Sequence, residues 1–184
     1  KWSKRSLPTL SFGQELFVTP LQTIGAYSAI ANGGTLLKPK IIKAIGDKEY
    51  NEVSVMRKHV ISEETAYKVR QALAGVVTDG TGKSARIKGY SVGGKTGTAQ
   101  KYDPKLKQYS KKKYMASFCG MIPAMNPEVV ILVIYDEPVG DYYAASVTAP
   151  VFSQIAEKTV KYLNIEPDKP EELVEPAPKK GAKK

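Results

Sequence analysis

Three stretches of the chain carry apolar residues at the three- and four-residue spacing of a helix that buries one face. They cover residues 20–30, 63–77 and 146–164. The start of the first is marked by Thr19 as a candidate N-cap, Pro20 at the first helical position and Gln22 completing a capping box. Ser62 is the candidate N-cap of the second. The pattern therefore predicts three amphipathic helices.

The pattern changes to the two-residue alternation of strands in the second half of the chain. Strands are predicted over residues 90–100, 114–122 and 129–135, and the last is a continuous apolar run typical of a central buried strand. A small hairpin with its turn near Gly46 is predicted between the first two helices. The order helix, hairpin, helix, three strands, helix predicts an α+β fold in which an antiparallel sheet is flanked by helices.

The composition is that of a globular domain, with 42% hydrophobic and 25% charged residues among 184. The longest apolar run is too short to cross a bilayer. The first residue is not Met, so we expect the sequence to be a piece of a longer protein. The chain has one cysteine and one histidine. We therefore do not expect a metal site built on cysteine or histidine, nor a Ser-His-Asp triad. We expect no metal and no cofactor.

The net charge of +10 favours an anionic partner such as nucleic acid, lipid or an acidic polymer. Six lysines fall within residues 101–113, with tyrosines between them. The surrounding pattern is not that of a nucleic-acid-binding fold, so we interpret the segment as a solvated loop and predict no nucleic acid. Residues 167–184 are rich in proline, lysine and glutamate and nearly lack large apolar residues, which predicts a disordered tail.

Two glycine-rich stretches are candidates for chemistry. Residues 79–84 follow a predicted helix and lack the first glycine of a phosphate loop, so they predict only a turn. Residues 93–100 lie in the first predicted strand of the sheet, where alternation places one lysine on one face and two threonines on the other. This pattern fits a strand along which an extended ligand binds, and it fits equally a glycine-rich edge strand with an incidental lysine.

A series of motifs favours the ligand-binding interpretation of this strand. Lys95-Thr96-Gly97 is one of the three signature motifs of penicillin-binding proteins. Other stretches typical of the family follow one another along most of the chain, at residues 11–14, 18–22, 29–34, 77–83, 94–100, 116–118, 136–138 and 149–152. The chain resembles the transpeptidase domain of class B penicillin-binding proteins, and residues 77–83 are most similar to those of the division-type members.

The resemblance implies the C-terminal part of a β-lactamase/transpeptidase-like fold, whose Lys-Thr-Gly strand borders the active-site cleft. It implies catalytic roles for Lys95 and Thr98. Lys95 would supply positive potential below the cleft, and Thr96 would bind the terminal carboxylate of the substrate. Gly97 would leave room for the ligand, and the Thr98 backbone N–H would belong to the oxyanion hole, where one donor typically contributes about 100- to 1000-fold in rate.

The resemblance further implies a serine-type D,D-transpeptidase that cross-links peptidoglycan. Its substrate would be a stem peptide ending in D-Ala-D-Ala, and β-lactam antibiotics would mimic that substrate. Its partners would be the remainder of its own transpeptidase domain and membrane-embedded proteins of cell-wall synthesis. We expect it at the extracytoplasmic face of the bacterial cell membrane, held by an anchor upstream of this chain.

The chain departs from the family in its nucleophile. Members carry a Ser-x-x-Lys helix and a Ser-x-Asn motif upstream of the Lys-Thr-Gly strand. Only residues 110–113 fit the first pattern; they follow the strand and show no helical stripe, and the second pattern does not occur. We therefore expect residues 1–166 to be a C-terminal portion that is inactive alone. A β-lactam sensor domain and a D,D-carboxypeptidase or β-lactamase of the same fold remain open.

Overall fold

A computed structural model describes residues 6–11, 13, 16–105 and 107–173. The helices are α1 (Ser6–Ser11), α2 (Pro20–Ala31), α3 (Glu63–Thr78), α4 (Ala144–Val147) and α5 (Ala149–Tyr162). The strands are β1 (Leu36–Leu37), β2 (Ala44–Ile45), β3 (Lys48–Glu49), β4 (Val55–Arg57), β5 (Gly93–Asp103), β6 (Gln108–Ile122) and β7 (Val129–Asp136). Short 3₁₀ helices cover Lys83–Ala85 and Pro170–Leu173. None of the helices in these ranges has the length and apolar character that a membrane span requires.

Helices α2 and α3 begin where their capping residues predict. The Gln22 N–H donates to Thr19 Oγ1 at 3.2 Å, and the Thr19 N–H donates to Gln22 Oε1 at 2.8 Å, which completes the predicted capping box. The Thr65 N–H donates to Ser62 Oγ at 3.1 Å at the start of α3. Because each cap satisfies N–H groups that the helix leaves unpaired, these short local patterns were sufficient to predict both starts.

The third predicted helix is two helices. Thr148 lies between α4 and α5, and Pro150 stands in the first turn of α5, where its missing N–H removes no helical hydrogen bond. Helix α1 was not predicted, because its six residues are too few to show a repeated helical spacing of apolar side chains.

Strands β5, β6 and β7 form one antiparallel sheet in that order, so the α+β prediction holds and β6 is the central strand. The predicted central position of residues 129–135 is wrong for the described sheet, because β7 lies at its edge and only Val133 of that strand is buried. The apolar run has another cause. β7 contacts both α2 and α5, and helices on the faces of a sheet cover the side chains of a strand whether it is central or at the edge.

Strands β5 and β6 extend further than the alternation predicts. β5 reaches Asp103 and β6 begins at Gln108, so most of the lysine-rich residues 101–113 lie in a hairpin and not in a loop. Tyr102 and Tyr109 lie opposite each other, with ring centroids 5.7 Å apart. Such cross-strand aromatic pairs stabilise a hairpin, and their effect outweighs the low strand propensity of the lysines around them.

The predicted small hairpin between α2 and α3 is present as two short antiparallel pairs. β2 and β3 flank the turn at Gly46, whose φ of 57° is a conformation that glycine adopts without strain. β1 pairs with β4 and closes the base of this region beside α2.

The main core lies between the three-stranded sheet and α5. Phe118 of β6 and Phe152 of α5 are fully buried, with ring centroids 4.7 Å apart. A Cβ at Gly120 would lie 2.7 Å from the Phe152 ring, so only glycine lets α5 approach β6 this closely. Packing of α5 thus fixes the sheet that carries β5.

A C-terminal strap, residues 165–173, packs on the segment that leads into β5. The Ser91 N–H donates to Asp168 Oδ1 at 2.7 Å, and the Ser91 hydroxyl donates to Asp168 Oδ2. The Gly89 N–H donates to Glu172 Oε2 at 3.2 Å. These carboxylates satisfy backbone groups just before the strand of the sheet edge, so the strap stabilises the position of β5.

The prediction of disorder from residue 167 onward is therefore wrong for residues 167–173. Composition alone predicted it, because a carboxylate that will bind a distant backbone N–H has the same sequence signature as a solvated one. Residues 174–184 lie outside the described residues, and disorder there stays a prediction.

We expect Asp168→Ala to lower the free energy of unfolding by about 0.5–1.5 kcal/mol, because the Ser91 N–H and hydroxyl lose an exposed charged acceptor that water replaces only in part. Urea unfolding of the variant and the parent measures this. Asp47 is an exposed turn residue, so Asp47→Ala is the matched control and should change stability by less than about 0.5 kcal/mol. Equal losses in both variants would contradict the role of the strap.

Candidate active site

Strand β5 lies at one edge of the described sheet and carries the predicted site residues. Lys95 pairs with Cys119 of β6. Residues two apart share a face of a strand, so Lys95 and Gly97 lie on the Cys119 face, and Thr96 and Thr98 lie on the opposite face. The alternation predicted from the sequence is thus present in the strand.

An ammonium and two hydroxyls meet beside this strand. Lys95 Nζ donates to the Thr96 carbonyl oxygen at 2.9 Å and to Thr96 Oγ1 at 3.2 Å. Thr96 Oγ1 lies 2.8 Å from Thr81 Oγ1. Lys95 is exposed and forms no ion pair within the described ranges. This group, which we call the Lys95 cluster (Lys95, Thr96, Thr81), is suited to bind a carboxylate through charge-assisted hydrogen bonds.

Thr81 is the member of the cluster that sequence reasoning missed. It lies in the turn after α3, which was predicted to have no function. The turn folds tightly against the end of the helix: the Gly82 N–H donates to the Val76 carbonyl oxygen at 3.0 Å, and a Cβ at Gly80 would lie 2.9 Å from that oxygen. The glycines therefore serve close packing, which brings Thr81 to Thr96. The signal that pointed to this turn was its place in the series of family motifs.

Thr98 is held by the start of α4. The Ala144 N–H donates to Thr98 Oγ1 at 3.1 Å, which leaves the hydroxyl hydrogen of Thr98 available to a ligand. The neighbouring Tyr143 is 58% exposed and stacks on Tyr142, which stacks on Tyr114 of β6 with centroids 4.0 Å apart. The structure thus adds an aromatic wall beside Thr98. Sequence reasoning did not predict it, because these tyrosines are far from Thr98 along the chain.

Packing inside the sheet accounts for one of the two glycines nearest the cluster. A Cβ at Gly94 would lie 2.7 Å from the Phe118 ring and 2.8 Å from the Cys119 carbonyl oxygen, so glycine is required there without any ligand. At Gly97 the Cβ would meet the rotatable hydroxyl of Ser117 at 2.7 Å. Approach of a ligand at Gly97 stays a prediction.

Two side chains that could be mistaken for nucleophiles are unsuited to that role. Ser110 lies on β6, and its Oγ accepts the N–H groups of Lys112 at 3.2 Å and Lys113 at 3.0 Å, so it shapes a local turn and is not on a helix. Cys119 is 4% exposed, and burial raises the pKa of its thiol to about 12, as expected of an inert cysteine. No group of acidic, histidine or cysteine side chains in the described ranges could hold a metal ion.

The sequence of the chain matches a known protein family. Residues 1–157 match the family model of the penicillin binding protein transpeptidase domain. The chain belongs to this family. The resemblance found in the sequence motifs is therefore confirmed at the level of the family, and β5, which carries Lys95 and Thr96, is a strand of a transpeptidase domain.

Relatives of this transpeptidase domain include stage V sporulation protein D of Bacillus subtilis, which is 41% identical over 167 residues. That match covers 88% of the chain and 26% of the relative. The probable peptidoglycan D,D-transpeptidase PenA of Neisseria flavescens is 35% identical over 172 residues, covering 92% of the chain and 41% of PenA. The chain thus spans less than half the length of these relatives.

Solved structures confirm the fold of the domain. The transpeptidase domain of penicillin-binding protein 3 from Burkholderia pseudomallei is 40% identical, with a TM-score of 0.77, covering 91% of the chain and 49% of that structure. Penicillin-binding protein 3 from Mycobacterium tuberculosis, complexed with ampicillin, is 35% identical with a TM-score of 0.80, covering 97% and 41%. The prediction of a β-lactamase/transpeptidase-like fold is confirmed.

Proposed function

We propose that this chain is the part of a peptidoglycan D,D-transpeptidase that binds the terminal carboxylate of the substrate and stabilises its reacting carbonyl group. The Lys95 cluster is the observation that carries the proposal, because it presents one ammonium and two hydroxyls with no carboxylate partner in the described ranges. Relatives named as peptidoglycan D,D-transpeptidases support the same assignment.

The roles of the residues follow from their positions on β5. A stem peptide ending in D-Ala-D-Ala would lie along this edge strand, with its terminal carboxylate on the Lys95 cluster. The Thr98 backbone N–H would donate to the carbonyl oxygen as it becomes negative, and the Thr98 hydroxyl would share the carboxylate. Gly97 would leave room for the backbone of the peptide. The Tyr143 ring, next to the residue that holds Thr98, would form an apolar wall of the same site.

The nucleophile would come from the remainder of the transpeptidase domain, because the chain contains no helical Ser-x-x-Lys and no Ser-x-Asn. That serine oxygen would attack the carbonyl carbon of the penultimate D-Ala. The peptide C–N bond then breaks, the serine proton passes to the amine of the departing D-Ala, and an ester remains. An amine of a neighbouring stem peptide then attacks the ester, which forms the cross-link and returns the proton to the serine.

The location follows from the substrate. Because peptidoglycan is assembled outside the cytoplasm, this domain would lie at the extracytoplasmic face of the cell membrane. A segment upstream of this chain would anchor the protein there. Membrane-embedded proteins of cell-wall synthesis are its proposed partners. Labelling of the outer surface of spheroplasts, with an antibody against this domain, tests that location.

Fluorescent penicillin labelling tests the function. The full product of the gene should form a covalent adduct that withstands denaturing electrophoresis, and this 184-residue chain alone should not. A labelled chain would overturn the assignment of the nucleophile to another segment. An unlabelled full product would overturn the penicillin-binding function.

The same preparation separates the alternatives within the fold. A full product that releases D-Ala from a stem peptide and transfers the acyl group to an added amine is a transpeptidase. Transfer to water alone would indicate a D,D-carboxypeptidase, rapid hydrolysis of penicillin a β-lactamase, and stable labelling without either turnover a β-lactam sensor.

A further inference from the structure

Residues 100–114, which we name the basic ribbon, extend the β5–β6 hairpin beyond the third strand of the sheet. β7 pairs with β6 only from Met115 onward, so within the described residues the ribbon has no third strand beside it. The ribbon continues the strand that carries Thr98. At about 3.3 Å per residue, its far end near Asp103 is roughly 17 Å from Thr98 along the same line.

The ribbon has a built shape. Tyr102 and Tyr109 pair across it with their rings edge to face. Between Tyr109 and Tyr114, four residues of β6 lie opposite one residue of β5, which is a large, irregular bulge. The Ser110 hydroxyl accepts two backbone N–H groups inside this bulge, and the three lysines in it are exposed. The bulge therefore presents lysines in a fixed place rather than on a loop.

Among the described residues, some lysines of the ribbon form ion pairs and others do not. The lysines nearest the sheet are neutralised: Lys101 binds Asp136 and Glu137, each at 2.8 Å, and Lys113 binds Glu137 at 3.2 Å. The ribbon's own Asp103 accepts a backbone N–H at 2.8 Å. The remaining lysines are exposed and form no ion pair in the described ranges: Lys105, Lys107, Lys111 and Lys112.

We propose that the basic ribbon binds carboxylates of peptidoglycan stem peptides away from the reacting end, and so holds the polymer beside the Lys95 cluster. The four unpaired lysines supply the complementary charge. A polymer that carries many short peptides places further carboxylates within the roughly 17 Å between Thr98 and the tip of the ribbon. The inference rests on the proposed function, since it names a second contact for the same substrate.

One feature disfavours nucleic acid as the partner. The Tyr102 and Tyr109 rings pack edge to face against each other across the ribbon and so are not arranged as separate platforms for stacking bases. The exposed lysines are point charges, each of which can bind a separate carboxylate of a flexible peptide.

Co-sedimentation with purified sacculi tests the inference. The sacculi are first treated with hydrofluoric acid, which removes phosphate polymers of the wall. The full gene product and a variant with Lys105, Lys107, Lys111 and Lys112 each changed to Gln are compared at low salt. We expect the variant to bind roughly tenfold more weakly, as four exposed ionic contacts predict. Amidation of the sacculus carboxylates should lower the affinity of the parent to that of the variant.

A matched control changes four exposed lysines elsewhere to Gln: Lys43, Lys58, Lys88 and Lys158. The control should bind within about twofold of the parent, because it lowers net charge equally but leaves the ribbon intact. An equal loss in both variants would overturn the inference, as would binding that survives amidation. Binding only to untreated sacculi would assign the ribbon to wall phosphates instead, and ribbon-dependent affinity only for duplex DNA or anionic vesicles would assign it to those partners.

Fluorescent penicillin labelling of the four-lysine variant separates this inference from the proposed function. The variant should label at the rate of the parent, because the ribbon lysines lie outside the Lys95 cluster. Normal labelling with normal sacculus binding would overturn the ribbon alone. A parent that does not label would overturn the proposed function, whatever the ribbon does.

Discussion

Replacing Thr96 with valine is expected to slow the acylation of the full gene product by a β-lactam roughly 10- to 100-fold, the loss typical of one hydrogen bond to a charged group. The change removes a hydroxyl that lies 3.2 Å from Lys95 Nζ and 2.8 Å from Thr81 Oγ1, and leaves side-chain volume nearly unchanged. In the proposed site this hydroxyl binds the carboxylate that β-lactams share with the stem peptide. Stopped-flow kinetics with a fluorescent penicillin give the acylation rate constant directly.

Two companion variants show whether the hydroxyl itself is responsible. Thr96→Ser keeps the hydroxyl and should retain acylation within a few-fold of the parent. Thr81→Val removes the second hydroxyl of the Lys95 cluster, and its effect should be smaller because Thr96 and Lys95 remain. If Thr96→Val acylates at the parental rate, the carboxylate is bound elsewhere and the cluster has no role in substrate binding.

We expect Phe152→Ala to lower the free energy of unfolding by about 3–5 kcal/mol. Phe152 is fully buried, packs against the Phe118 ring and fills the space that Gly120 leaves open. Its loss would leave a cavity between α5 and the sheet that the surrounding backbone cannot close. Urea unfolding followed by circular dichroism measures the change.

An exposed aromatic of the same helix provides the control. Tyr162 is 85% exposed, so Tyr162→Ala should change stability by less than about 0.5 kcal/mol. Phe152→Leu, which keeps much of the buried volume, should cost less than Phe152→Ala. Equal stability of the parent and Phe152→Ala would show that α5 does not hold the sheet through this side chain.

The local elements were the predictable part of the fold. The starts of α2 and α3 depend on hydrogen bonds between residues three apart, and the caps Thr19 and Ser62 make those bonds wherever the rest of the chain lies. The antiparallel pairing of β6 and β7 follows in the same way from the short connection between them. The alternation at Lys95 and Thr96 is likewise a property of any strand.

Features that depend on distant residues were missed or predicted wrongly. The sheet has β6 and not β7 in its centre, which the sequence did not predict, because an apolar run indicates that the faces of a strand are covered but not which strands lie beside it. The order of residues 167–173 depends on Ser91 and Gly89, more than seventy positions earlier. The solvated-loop interpretation of residues 101–113 failed because the Tyr102–Tyr109 contact forms only when the two strands meet.

The candidate site likewise has a part that depends on neighbouring residues and a part that depends on distant ones. The sequence by itself determined the family and the strand, since Lys95, Thr96, Gly97 and Thr98 are contiguous and the other family motifs follow in order. Only the tertiary structure placed Thr81 at 2.8 Å from Thr96 and brought the aromatic wall at Tyr143 beside Thr98. A motif specifies the groups that one strand presents, because its residues are contiguous. The groups that complete the binding site come from elements far apart in the chain, and only the packing of those elements brings them together.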